Sequence, residues 1–546
     1  MLSENAKTLK GKVIAGYQGW FGTVDDGLGR AWMHWNRDEP RIEDGEVHVS
    51  FEMYPDISEY PADQLTDIGF DAFPDGRKAQ LFSSYHYDTV DLHFSWMRDY
   101  GIDGIALQRF LGEALGSRSE HLNTVAESAK TAAEKYDRVF YVCYDFTGAN
   151  NDDYVQSIKD DFSYTVMKEL KLLDSPNYLH NNGKPVVQLW GMGVNGNYRR
   201  GAEEALEVVN YFRDLGCYVI GGTPTDWRID SGDGIPGFKD VYAAYDMVSP
   251  WTVGRFGSAA EAVNHYKNKI LPDMEYCIQQ DKDYMPVVFS GFAWSLWNGG
   301  KPNQIPRKEG ELLKAQLKEA MRLNPEAVYV AMFDEYDEGT AIMKAADSSF
   351  AIPSNSYFLT NSADGSYVSS DYYLRLIGEF TRQFRGESGA DIDAVPLTAG
   401  PIWYRSGFEK GIDATVSSKT ESIYSLTIED TTQPDHKYAI RVKGEPPAEN
   451  TDIATLTQIN APIKDTTTLA YEVSGSGEVY IDVIFTDGTR LSSTAGIITP
   501  TSDEWYKITQ NLGEQAKGKT MQELTISILG GIYDTDVWVD NVVLQD

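Results

Sequence analysis

Cysteine is scarce: three residues in 546, Cys143, Cys217 and Cys277, lie far apart in the chain. No CxxC pair and no Cys/His cluster occurs, which excludes a disulfide scaffold and a zinc ribbon. His86 and His93 lie seven apart without a third ligand, so they make no zinc site either. Basic charge is also short, with 48 Lys and Arg against 82 Asp and Glu, a net of −34. A surface that negative repels phosphate backbones and anionic lipid, so neither nucleic acid nor membrane insertion is expected, and a polyanionic substrate would need a local basic cleft. No apolar run approaches the ~20 residues that span a bilayer. The opening MLSENAKTLKGK has no apolar core of a signal peptide. Repeats and low-complexity tracts are missing. Aromatic residues are plentiful by contrast, with 12 Trp and 33 Tyr, rings that serve either core packing or the flat faces of sugars.

Short apolar, β-branched or aromatic runs recur at Val13–Trp20, Gly104–Gln108, Val139–Phe146, Pro185–Trp190, Cys217–Gly222, Met247–Trp251, Pro286–Phe292 and Val328–Phe333. Amphipathic stretches with helical spacing separate most of them, among them Thr124–Lys135, Tyr154–Leu173, Ala202–Leu215, Ala259–Ile270 and Gly310–Leu323. Eight strands alternating with helices predict an α/β fold, a (β/α)8 TIM barrel over 1–385. A doubly wound sheet fits less well, because no glycine-rich phosphate loop follows the first strand. The first βα connection, Phe21 to about Asp88, is long and would lie over the C-terminal mouth where barrels build their sites. A helix over roughly Ser370–Phe384 closes the barrel. The stretch 386–401, rich in Gly, Ala, Asp and Pro, reads as a linker. From Ile402 the pattern alternates with period two between turn signals, predicting a β-sandwich of jelly-roll type over 402–546.

The eighth run leads straight into Asp334-Glu335-Tyr336-Asp337-Glu338-Gly339-Thr340, four carboxylates in five residues. At the end of a barrel strand, like charge and burial would raise one carboxyl's pKa and leave a proton donor beside an ionised partner. Cleavage of a glycosidic bond uses such a pair. A solvated acidic loop or a Ca²⁺ site has the same composition. Arg109 and Asp145 fall at strand ends, as substrate contacts or as an ion pair between neighbouring strands. Trp190, Trp227, Trp251 and Trp294 follow strands four to seven, where they stack on sugar rings or cap the barrel core.

The segment Val330-Ala331-Met332-Phe333-Asp334-Glu335-Tyr336-Asp337-Glu338-Gly339-Thr340 resembles the strand-eight motif of glycoside hydrolase family 99, the endo-α-mannosidases and endomannanases. That motif reads, in residue types, Phe-Asn-Glu-Trp-His-Glu-Gly-Thr. Gly16-Tyr17-Gln18-Gly19-Trp20-Phe21-Gly22 with Trp32-Met33-His34-Trp35 resembles the family's aromatic first strand and His-Trp pair. Phe82-Ser83-Ser84-Tyr85, Asp88, Met97 and Gly101-Ile102-Asp103-Gly104 resemble its approach to strand two, the last also being similar to family 71. The resemblance, over about residues 12–345, implies a glycoside hydrolase that needs no metal for catalysis. Glu338 would be the general acid/base and Glu335 the base on the sugar's 2-hydroxyl, a retaining route through a 1,2-anhydro sugar. Trp20, His34, Trp35, Tyr85, Arg109, Asp145, the four tryptophans, Asp334 and Tyr336 would line the substrate. The departures at Asp334, at Tyr336-Asp337, at Gln108-Arg109, at Tyr144-Asp145-Phe146 and at Ser290–Trp294 point to a different glycan. They also leave room for a glycan-binding protein on an enzyme-derived barrel, or for an inverting hydrolase in which Asp334 or Asp337 carries the proton.

Phe408-Glu409 and Val539-Asp540-Asn541 resemble carbohydrate-binding jelly rolls, several of which hold a structural Ca²⁺ between such carboxylates. That resemblance makes Glu409 and Asp540 the expected calcium ligands. Trp505 and Tyr533 are sugar contacts or core residues, and the domain either binds sugar weakly or braces the barrel. The partner expected throughout is a poly- or oligosaccharide; a polymer substrate implies an extracellular, periplasmic or cell-surface enzyme, and the start of the sequence is equally that of a cytoplasmic one.

Overall fold

The computed structural model describes every residue except 1, 44–45, 148, 150–152, 197, 199, 230, 420–423, 434–435, 446–448, 478, 494–503 and 530–533. Tyr533 therefore lies outside the described residues.

All eight expected strands form. They are β1 (Lys12–Tyr17), β2 (Gly104–Phe110), β3 (Val139–Asp145), β4 (Lys184–Trp190), β5 (Tyr218–Thr223), β6 (Met247–Pro250), β7 in two pieces (Asp283–Tyr284 and Val287–Phe289) and β8 (Ala327–Ala331). Each pairs in parallel with the next, and β8 pairs with β1, Ala15 opposite Val330. Pro286 interrupts β7 because it has no N–H to give. Its first piece pairs with β6 and its second with β8, while Met285 N donates to Val248 O and Tyr329 N to Pro286 O, both at 3.0 Å. The ring is closed. Its strands are buried on both faces, which is why they read as continuous apolar runs.

A helix follows every strand: α1 (Tyr87–Tyr100), α2 (Ser119–Tyr136), α3 (Tyr154–Asp160, continuing as Asp161–Glu169), α4 (Ala202–Asp214), α5 (Lys239–Ala244), α6 (Ala259–His265, continuing through Tyr266–Ile270 to Leu271–Gln279), α7 (Glu311–Leu323) and α8 (Tyr372–Phe384). In α8, buried Tyr373, Leu376, Ile377 and Phe380 recur at helical spacing and turn one stripe to the barrel. No helix among the described residues is long and apolar enough to cross a membrane. Inside the barrel, Gly16 leaves room for two side chains of β8 and its extension. A Cβ there would stand 2.2 Å from Met332 Cε and 2.3 Å from the Tyr329 hydroxyl.

The segment 386–401, expected as a linker, is packed. Ile392–Ala394 makes one turn capped by the Asp391 side chain, and Ile392 enters the barrel core. Arg375 of α8 donates to the carbonyls of Pro396 (2.7 Å) and Leu397 (3.3 Å). Beyond it two antiparallel sheets stack as a jelly-roll sandwich. Ile481, Val483, Phe485, Leu524, Ile526 and Ile528 alternate inward from one sheet, and Ile440, Val442, Val473, Val537 and Val539 from the other. Arg405 grips Asp347 of the barrel at 2.6 Å, and Asp413 accepts from the N–H and hydroxyl of Ser349.

Candidate active site

The chain leaves β8 and turns under the barrel mouth over residues 333–340. Asp334 fixes that turn to β1: its two oxygens accept from Gln18 N and Gly19 N, each at 2.8 Å. Burial pushes its pKa up to about 7, against the pull of those two N–H groups. Both oxygens face backbone, so Asp334, expected in the substrate shell, acts as a clamp.

Glu335 and Glu338 differ in how they are held. Glu335 is buried, with Oε1 accepting from Gln18 Nε2 at 2.8 Å and Oε2 from Thr340 Oγ1 at 2.7 Å. Glu338 is half-buried, and its carboxyl has no hydrogen-bond partner among the described residues; its backbone carbonyl accepts from Ala293 N at 2.8 Å. Burial raises both carboxyls above the usual range. The charges of Glu338 and Asp337 add to this at Glu335, and those of Asp337 and Asp145 at Glu338. Mutual repulsion and burial keep a proton on the group. One carboxyl is aimed by two donors and its neighbour is free to reach a ligand.

Asp337 Oδ2 meets His34 Nδ1 at 3.0 Å. The His34 ring stacks on Trp20 at 3.7 Å and 5°, with Trp297 on its other side at 6.1 Å. Burial lowers His34 to about 3 and raises Asp337. Asp145, at the end of β3, accepts from Thr147 N at 2.7 Å and is pushed up to about 7 by burial, with Glu113 adding to the rise. Tyr85 stacks on His121 (5.9 Å), and Trp190 and Trp251 meet edge to face (5.3 Å), both partly exposed. Trp294 is also partly exposed and donates to Gln304.

Four expected substrate contacts lie elsewhere. Trp35 is fully buried, its Nε1 donating to Phe82 O at 2.7 Å and its ring on Phe21. The Tyr336 hydroxyl donates to Lys344 O at 2.6 Å beneath the turn. Trp227 is buried and donates to Asp273 of α6. Arg109 points outward from β2 and grips Asp161 of α3 through Nε and Nη2, both at 2.6 Å. Alternation along β2 explains this, since Gln108 faces inward and donates to the Tyr329 hydroxyl. Arg109 does form a structural ion pair, with the helix layer rather than with Asp145.

Sequence reading left Gln18 and Thr340 without roles, although both stand inside the quoted motifs. It missed Trp297 and Arg307 altogether. Arg307 is buried and donates from Nη2 to the carbonyls of Gly339 (2.9 Å) and Ala341 (2.5 Å), supporting the 333–340 turn. The connection carrying both has no periodic pattern that would single them out.

Glu409 and Asp540 share a cavity of about 620 Å³ between barrel and sandwich. Asp540 accepts from His436 Nδ1 (2.8 Å) and Asn541 N (2.7 Å), and the His436 ring stacks on Trp505 at 3.9 Å. Burial, with Asp413 and Asp540 nearby, pushes Glu409 up to about 8. Among the described residues no group of three or more His, Cys, Asp or Glu is arranged to hold a metal. Glu472 and Asn541 line the same cavity, and both oxygens of Asp540 are engaged by protein donors.

The structure is a closed parallel barrel with a carboxyl-rich mouth, joined to a jelly-roll sandwich. Among solved structures the chain is similar to a GH99 endo-α-mannosidase from Bacteroides thetaiotaomicron, at 17% identity over 69% of this chain and 99% of that one, with a TM-score of 0.49. It is also similar to a glycoside hydrolase-like protein, at 15% identity over 64% and 98%, with a TM-score of 0.41. The C-terminal part is similar to the C-terminal family 22 carbohydrate-binding module of Clostridium thermocellum Xyn10B, at 12% identity over 27% and 96%, with a TM-score of 0.21. No protein-family model matches the chain, and no curated protein does.

Proposed function

We propose that the chain is a retaining glycoside hydrolase acting on an oligo- or polysaccharide, with Glu338 as acid/base and Glu335 as base. The observation that carries this is the unequal pair at the end of β8, one carboxyl pinned by Gln18 and Thr340 and the other free. Glu338 protonates the glycosidic oxygen as the C1–O bond breaks. Glu335 takes the proton of the sugar's 2-hydroxyl, and O2 closes on C1 to give a 1,2-anhydro sugar. Water, deprotonated by Glu338, then opens that ring at C1, and O2 recovers its proton from Glu335. Two inversions give net retention. The route requires an O2 that can reach C1 from the face opposite the leaving group, as in an α-mannoside. The departure at Asp337, whose carboxyl meets His34 in the mouth, supports a glycan other than the one the resemblance names.

The test is hydrolysis of a panel of α-mannans, α-glucans and plant polysaccharides, with products read by mass and by anomeric configuration. Oligosaccharide release by wild type, lost in Glu335→Gln and Glu338→Gln, is the expected result. An inverted anomer, or release by Glu338→Gln at the wild-type rate, would overturn the assignment. Binding of a glycan without cleavage would mark a glycan-binding protein instead.

A further inference from the structure

Close-packed interiors hold few voids larger than a water molecule, yet about 620 Å³ stands open between barrel and sandwich. That volume falls within the roughly 300–1,000 Å³ of small-ligand sites. Both domains build the cavity. The barrel supplies Phe350, Pro353 and Tyr357 from the β8–α8 connection, and the sandwich supplies Glu409, His436, Tyr438, Glu472 and Asn541. Neither Glu335 nor Glu338 lines it, and none of the tryptophans of the mouth does.

The walls are fixed by their own hydrogen bonds. Tyr357 donates to Glu52 Oε1 at 2.9 Å, Asp540 holds His436 Nδ1 at 2.8 Å, and Asn541 Nδ2 donates to Glu472 Oε2 at 2.9 Å. Left-handed backbone gathers here too: Asn355 (φ 59°) and Asn541 (φ 50°) line the cavity, and Phe408 (φ 58°) sits between Gly407 and Glu409, which also line it. Asparagine tolerates that conformation, but a bulky residue such as Phe408 is strained in it, and such strain collects at ligand clamps.

Polar atoms remain open to the space. Glu472 Oε1 and Asn541 Oδ1 have no hydrogen-bond partner among the described residues, and neither is sealed from solvent. The Glu409 carboxyl is half-buried and faces the Tyr438 N–H. Lys410, Lys437 and Lys507 line the cavity as exposed residues and make no ion pair among the described residues.

We propose that this cavity binds a short neutral oligosaccharide held between the two domains, a second saccharide site apart from the mouth. Charge selects the class. Three lysines stand against the carboxyls of Glu409, Glu472 and Asp540, so neither sign is in excess. A cation would meet the lysines and an anion the carboxylates. A sugar hydroxyl both gives and accepts, which suits ammonium and amide donors beside carboxylate and amide acceptors. Phe350, Pro353 and Tyr438 add apolar surface for the C–H faces of the rings. The site does not depend on the reading of Glu335 and Glu338.

Calorimetry on the full chain carrying Glu338→Gln, so that no probe is consumed, tests this with α-1,6-mannotriose, maltotriose, β-1,4-xylotriose, trigalacturonate and calcium chloride. At least one neutral trisaccharide should bind. Adding Glu472→Ala should weaken it roughly tenfold. Adding Ala470→Trp, whose ring would fill the cavity that Ala470 lines, should abolish it. Thermal melting confirms that each variant folds, and Glu472→Ala decides the matter if Ala470→Trp does not fold. Loss in Ala470→Trp with no change in Glu472→Ala would keep the site and remove Glu472 from its contacts. Binding that survives Ala470→Trp at full affinity belongs to the mouth and would overturn the proposal. So would no binding of any neutral probe, or an Ala470-dependent site that prefers trigalacturonate or calcium.

Discussion

The chemistry at the residue scale turns on how few partners a carboxyl has. Glu335 is aimed by Gln18 and Thr340, whereas Glu338 is unattached, and the two roles proposed for them differ in the same sense. Glu338→Gln should lower kcat by roughly a thousandfold or more on natural substrate, within the range that loss of a proton donor produces. On a dinitrophenyl glycoside, whose leaving group needs no proton, its first step should recover, while Glu335→Gln should remain slow on both. Burst kinetics check this: a slow first step on the activated substrate in Glu338→Gln would remove Glu338 from the acid role. Asp145 carries a separate expectation about stability. Burial raises it from 3.8 to about 7 in the folded chain, so the native state keeps a proton that the unfolded chain releases. Its contribution is complete below pH 3.8, falls as pH rises through the window up to about 7, and is flat beyond. Asp145→Asn should therefore gain stability relative to wild type as pH rises from 4 to 8, on the order of a few kcal/mol at most. Thermal melts of both proteins across that range would show it, and parallel curves would mean that Asp145 is not the strained carboxyl.

Elements carry the site only as well as their ends are tied. The 333–340 turn is held to β1 by Asp334 and supported from the β7–α7 connection by Arg307. Arg307→Met would leave the buried carbonyls of Gly339 and Ala341 without a donor, at about 1–3 kcal/mol each. The turn should then lose its register, with kcat falling more than binding of substrate to the mouth. Chemical denaturation alongside kinetics on the same variant would check both, and unchanged kcat would make Arg307 a packing residue only. The elements themselves were legible, because strands buried on both faces must be continuous apolar runs and each barrel helix needs one apolar stripe. The 333–340 turn was legible because it adjoins the last of those runs. What could not be read was direction. Whether Arg109 or Gln108 faces inward depends on a one-residue register, and the environments of Trp35, Trp227 and Tyr336 are set by distant partners such as Phe82, Asp273 and Lys344. Arg307 lies in irregular chain and Trp297 in a single helical turn, Ser295–Asn298, too short for a period to mark a residue. The 386–401 stretch has the composition of a linker, yet Arg375 and the barrel core claim it.

On the scale of the whole molecule, barrel and sandwich share a buried ion pair. Arg405 reaches Asp347 through Nε at 3.0 Å and Nη2 at 2.6 Å, and the Tyr367 hydroxyl donates to the same carboxylate at 2.6 Å. Asp413 adds a second tie through Ser349. Truncating one partner of a buried pair strands the other, a loss of roughly 3–5 kcal/mol. Arg405→Ala should consequently lower the melting temperature and separate the unfolding of sandwich and barrel into two calorimetric transitions. Adding Asp347→Asn should recover part of the loss, because the carboxylate left uncompensated is then gone. Activity on a tetrasaccharide should survive in both variants at temperatures below the first transition, since every residue of the mouth comes from the barrel. A single transition at the wild-type temperature in Arg405→Ala would mean that the two domains are joined by packing alone.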